Sequence, residues 1–108
     1  FTLRQFVDAV STNAAKIMGM YPRKGAIAAG ADADICILDP KLKRMVRAEA
    51  LHESDYTPWE GRQVDAWPAM TILRGKIMVE NDRWVGDAAG GQWLPRRIPE
   101  EIRNAPAV

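Results

Sequence analysis

Leu3, Phe6, Val7 and Val10 fall at i, i+3, i+4 and i+7, the apolar stripe of a helix lying on a surface. Thr2 followed three residues later by Gln5 can close a capping box at its start. Ser11, Thr12 and Asn13 then interrupt the stripe with three cap-favouring residues. Asn13 can cap a second helix, Ala14 to about Met18, because its side-chain oxygen can accept a free backbone N–H. Gly19 supplies a left-handed stop. The pattern over residues 2–19 therefore predicts helix, tight corner, helix.

From Tyr21 the periodicity changes. Pro22 and Gly25 open an extended stretch, and strands are predicted at 26–29 and 34–38, with a third over about 44–48. Asp39 and Pro40 end the apolar run Ile35-Cys36-Ile37-Leu38, since proline cannot donate to a continuing ladder. Residues 49–68, punctuated by Pro58, Gly61 and Pro68, read as loop, with Trp59 and Trp67 packed onto the body. Met70 to Leu73 and Lys76 to Val79 form the clearest hairpin, joined by the two-residue connection Arg74-Gly75. Asn81-Asp82 makes another turn before a short strand at Arg83–Val85. Beyond Ala88 the chain is glycine-rich, then basic and proline-containing. Trp93 and Leu94 anchor an otherwise weakly folded tail, with one helical turn at Glu100–Arg103 and fraying beyond it.

Composition narrows the classes. A chain of 108 residues with 15 basic and 14 acidic side chains offers one modest core and no basic excess for a polyanion. The densest basic stretch, Lys41, Lys43, Arg44 and Arg47, lacks interleaved aromatic residues and reads as a solvated edge, so no nucleic-acid partner is expected. Cys36 is the single cysteine. It reads as a small buried hydrophobe, consistent with a reducing, cytoplasmic setting. No apolar run approaches the roughly 20 residues that cross a bilayer, so no membrane partner is expected. The opening FTLRQF lacks the layout of a signal peptide and lies almost at once in a helix, which suggests a piece of something longer.

Candidate chemistry is sparse. Hydrolytic metal sites need several imidazoles and carboxylates converging at about 2 Å from the ion. His52 is the one histidine, and Glu49, Glu53 and Asp55 beside it could at most build a weak oxygen-rich site. Asp32 and Asp34 could pair as carboxylates only while the chain is extended, and otherwise read as a turn brace and a strand start. Ser11 has no histidine close in sequence, and Ser54, two residues after His52, is not assigned as a nucleophile. Isoleucines flanking Cys36 raise rather than lower a thiol pKa, and Gly86, Gly90 and Gly91 form no strand-to-helix phosphate loop. No catalytic, substrate-binding or metal-ligating residue is assigned in this chain.

Several segments together resemble the C-terminal portion of the dihydropyrimidinase/hydantoinase branch of the amidohydrolase superfamily. Ser11 to Gly25, STNAAKIMGMYPRKG, is similar to the family's STNPAKIFGLYPRKG, with Ala14 where proline is usual at the first helical position. Ala26 to Pro40 resembles TIAVGSDADIVIWDP, in which the G-x-D-A-D step, here Gly30 to Asp34, is shared by many amidohydrolases. Asp55 to Gly61, DYTPWEG, resembles the more selective DYNPYEG. Ile72 to Val79 resembles the hairpin VLVRGKVVV, and Gly91 to Arg96 the closing GRFLKR. The match runs in order over nearly the whole chain and leaves the last dozen residues unmatched.

The resemblance implies an α/β parent, a (β/α)₈ barrel with a small β-sandwich built from both chain ends. This chain would be its α+β share: two N-terminal helices, mainly sandwich strands, and an irregular tail. Residues 1–23 would be terminal helices of the barrel domain, 24–94 the C-terminal part of the sandwich, and 95–108 a flexible tail. It further implies a hydrolase opening dihydropyrimidine or 5-substituted hydantoin rings with two zinc ions bound outside this segment. The partners implied are the rest of the same polypeptide, a small cyclic amide, and further subunits of a homotetramer, with Trp93 and Leu94 as the candidate subunit contact. Allantoinase or dihydroorotase relatives, a non-catalytic scaffold like the collapsin response mediator proteins, and a free-standing β-rich binding module are the alternatives.

Overall fold

The computed structural model describes residues 1–51, 54–87 and 89–104. They form two compact units, one made of residues 1–34 with the C-terminal stretch and one of Ile35–Asp87.

The first unit opens on a helix, and the predicted capping box is present: Gln5 N–H donates to Thr2 Oγ1, and Thr2 N–H donates to Gln5 Oε1. The predicted corner at residues 11–13 is not. Helix α1, Leu3–Val7, runs through one wide π turn, Asp8–Thr12, into α2, Asn13–Ile17, with right-handed backbone angles at both junctions. The Asn13 N–H bonds back to the Asp8 carbonyl, and no side chain caps α2. Thr12, which could have capped it, instead donates its hydroxyl to the Gly25 carbonyl at 3.0 Å. A π turn can be carried inside a helix, so three cap-favouring residues in a row did not end it. Gly19 ends the helix at φ +68°, as the sequence predicts.

The strand expected at 26–29 does not form. Gly25 and Gly30 flank it at φ +77° and +88°, and Ala31 N–H closes a turn onto the Ala28 carbonyl. Two left-handed residues so close together leave no extended run long enough to join a ladder.

The second unit is all-β apart from a 3₁₀ turn at Ala48–Ala50. Strands β1 (Ile35–Asp39), β4 (Trp67–Leu73), β5 (Lys76–Glu80) and β6 (Arg83–Trp84) form an antiparallel sheet in the order β1-β4-β5-β6. β2 (Arg44–Met45) and β3 (Gln63–Val64) form a second, two-stranded sheet. The third predicted strand is thus real but shorter, and the predicted loop at 49–68 contains the 3₁₀ turn's end, β3 and the start of β4. Both hairpins lie where the sequence put them. Their central residues all have positive φ: Arg74 at 49° with Gly75 at 79°, and Asn81 at 49° with Asp82 at 61°, the turn geometry that matches strand twist.

The register aligns Ile35, Ile72 and Ile77 in one row and Ile37, Met70 and Glu80 in another. Met78, displaced at the β4–β5 irregularity, accepts N–H bonds from both Val85 and Gly86. Only Met78 and Ala15 are fully buried hydrophobic residues among those described, at 6% and 5% exposure.

Candidate functional site

The Asp-Ala-Asp step and the Arg-Lys pair eight or nine residues before it meet in one charge cluster. The backbone sets it up: Asp32 N–H donates to the Arg23 carbonyl at 2.9 Å, which folds residues 24–31 into a closed loop. Asp32 Oδ2 then lies 3.0 Å from Arg23 Nε and 2.9 Å from Lys24 Nζ, and Lys24 also pairs with Asp34. Hydrogen bonding to Lys24 holds the Asp32 carboxyl below its ordinary value, against a partial desolvation, with Arg23 adding to the effect. Desolvation pulls Lys24 down, but the hydrogen bonds and charges of Asp34 and Asp32 more than reverse it and its pKa is raised. Both carboxylates are therefore engaged by cations of their own loop. Their geometry is that of a brace fixing the entry into β1, the reading the sequence favoured over paired catalytic carboxylates.

The Asp55–Gly61 motif has a comparable local role. Glu60 pairs with Arg47 at 3.2 Å and accepts the Ala48 N–H at 2.6 Å, so one carboxylate both neutralises a cation and satisfies a donor at the start of the 3₁₀ turn. Val46 N–H to Arg62 O and Gly61 N–H to Val46 O extend the β2–β3 ladder to the same place. The two tryptophans differ. Trp67 is half-buried, donates its indole N–H to Asp82 Oδ1 at 3.1 Å and lies beneath the Arg44 guanidinium, which also pairs with Asp82. Trp59 is 53% exposed, with Arg62 over its ring at 5.1 Å, so its expected packing onto the body reduces to that one stacked cation.

Cys36, expected inside, is exposed. It sits on β1, an edge strand of the four-stranded sheet. Among the described residues, no three His, Cys, Asp or Glu side chains converge as a metal site. His52 and Glu53 lie outside the described residues. Glu49, Ser54 and Asp55 line a shallow depression with Arg47 and Glu60, and Ser11 lies in the helix with its carbonyl close against Gly25. No helix among the described residues is long and apolar enough to cross a membrane.

What the surface offers instead is apolar area. Leu3, Phe6, Val7 and Val10 of the helix stripe and Ile37, Leu38 and Ile77 of the sheet are all exposed. Trp93 is 85% exposed and Leu94 half-buried. Patches of this kind mark surfaces that bind something. The signal for them was in the sequence, as the stripe and the strand alternation, but it reads equally as an inward face.

Comparison with known proteins gives these surfaces a context. The Amidohydrolase family profile matches residues 1–78. D-hydantoinase of Geobacillus stearothermophilus is 46% identical over 96 residues, covering 88% of this chain and 20% of its own length. Dihydropyrimidinase of Rattus norvegicus is 40% identical over 94 residues, 86% of this chain and 18% of its own. Among solved structures, D-hydantoinase from Thermus sp. superposes with a TM-score of 0.83 at 39% identity, over 90% of this chain and 21% of that one. Another D-hydantoinase reaches 0.85 at 41% identity, over 91% and 22%. The chain thus spans about a fifth of the length of the relatives it matches.

Proposed function

Since the chain belongs to the amidohydrolase family, we propose that it is the C-terminal structural segment of a hydrolase that opens cyclic amide rings, dihydropyrimidines or 5-substituted hydantoins. The observation that carries this reading is sequence identity above 40% to proteins named D-hydantoinase over nearly nine-tenths of the chain.

Within that protein, residues 1–23 belong to the barrel domain, 24–94 to the β-sandwich and 95–108 to the tail. The segment's work is support. Its helix stripe and its sheet face are covered by the rest of the same polypeptide, and this accounts for so many large apolar side chains standing exposed with so few buried. The active-site faces of parallel barrels are built by the loops at the strand ends, while outer helices stabilise. In this reading the two zinc ions are held by residues outside this chain, and the chain alone is inactive. The enzyme is a cytoplasmic homotetramer, with Trp93 and Leu94 at a contact between subunits.

The test is turnover and metal content of the full-length protein. Hydrolysis of dihydrouracil or a 5-substituted hydantoin, with two metal equivalents per subunit, is expected. A stable, metal-free and inactive tetramer would overturn the enzymatic reading in favour of a scaffold.

A further inference from the structure

Gly19 carries more than the end of a helix. A β-carbon there would lie 2.5 Å from the Arg97 carbonyl carbon, 2.6 Å from its oxygen and 2.6 Å from the Ile98 nitrogen. All three are backbone atoms, so no side-chain rotation relieves the collision. In the same place Arg97 N–H donates to the Gly19 carbonyl at 3.2 Å, and the Arg96 guanidinium lies 3.7 Å from Met18 Sδ. The C-terminal segment, which the sequence reads as a loose tail, therefore meets the end of α2 backbone to backbone.

We propose that Gly19 is the docking point of an intramolecular clasp, in which residues 96–98 are held in cis as a strap across the end of α2. The argument is one of fit. An ordinary helix stop needs a left-handed residue, and asparagine often serves. Here the approach of Arg97 excludes every side chain, so the glycine serves the strap as well as the stop. Both partners gain: the helix end exposes carbonyls without intrahelical donors, and the strap supplies one N–H to the adjoining Gly19 carbonyl. This inference does not depend on the catalytic activity of the whole protein or on a subunit contact at Trp93.

Gly30 provides the control. It has φ +88°, so alanine there suffers a similar backbone penalty, yet a β-carbon would meet nothing within 4 Å. Hydrogen–deuterium exchange on the full chain as it occurs in its protein, read peptide by peptide, separates the two effects. Gly19→Ala should raise exchange of the segment 95–99 by about tenfold or more while the β4–β5 hairpin keeps its protection. Gly30→Ala should leave 95–99 as protected as in the parent. Protection of 95–99 unchanged in Gly19→Ala, or lost equally in Gly30→Ala, would overturn the clasp.

Discussion

Gly25 lies against Ala15 so closely that a β-carbon on the glycine would come within 2.5 Å of the Ala15 methyl and 3.1 Å of the Ser11 carbonyl. Ala15 is one of the two fully buried hydrophobic residues described, and the contact, with the hydrogen bond from Thr12 to the Gly25 carbonyl, fastens the loop to the helix. Alanine at position 25 meets both a crowded site and φ +77°. Overpacking costs about 1–3 kcal/mol and a left-handed non-glycine residue about 1–2. Gly25→Ala should therefore lower stability by about 2–5 kcal/mol in urea unfolding. A loss no larger than that of Gly30→Ala would show that the contact is not tight.

The Arg23–Lys24–Asp32–Asp34 cluster predicts a pH window. Asp32 has a lowered pKa, so its contribution is present above the unfolded carboxylate value of about 3.9 and is lost as pH falls through the folded value. Lys24 has a raised pKa, so its contribution is complete below the unfolded value of about 10.4 and is lost as pH rises through the folded one. The brace is intact between those limits. Asp32→Asn should flatten the acid side of the stability profile, followed by urea midpoints from pH 3 to pH 7, a range set by that carboxylate. An acid limb as steep as the parent's would remove Asp32 from the account.

At the other end of the chain, Trp93 should behave as an interface residue. Buried tryptophans at subunit contacts commonly cost 2 kcal/mol or more on truncation, which is about 30-fold in a dissociation constant. Trp93→Ala should shift the proposed full-length tetramer toward smaller species in analytical ultracentrifugation at low micromolar concentration, with Leu94→Ala doing less. An unchanged distribution for Trp93→Ala would place the contact elsewhere.

How much of this was legible beforehand depended on how local the cause was. The hairpins were, because Arg74-Gly75 and Asn81-Asp82 fix their own turn geometry. So were β1, stopped by Asp39-Pro40, and the capping box of Thr2 and Gln5. The family was legible too, through motifs that turn out to be braces: Asp32 gripping Arg23 and Lys24, and Glu60 gripping Arg47 and the Ala48 N–H.

What misled was of three kinds. Residues 26–29, Ala-Ile-Ala-Ala, are a short apolar run, but the left-handed glycines on either side, not their own side chains, decide their shape. At 11–13, capping capacity was spent on the distant Gly25 carbonyl, which no local pattern announces. Cys36 is a third case, since an apolar neighbourhood in sequence indicates a hydrophobic environment only when something packs on that side of the sheet. The Gly19–Arg97 contact joins residues far apart in the chain and left no trace in either segment.

The proposal that this segment supports chemistry done elsewhere is tested most directly on the 108-residue chain alone. The purified chain is incubated with zinc, dialysed, and assayed for bound metal and for hydrolysis of dihydrouracil and a 5-substituted hydantoin beside the full-length protein. The account predicts no retained zinc and no turnover from the chain, against both from the full-length protein. Stoichiometric zinc and ring opening by the chain itself would contradict it.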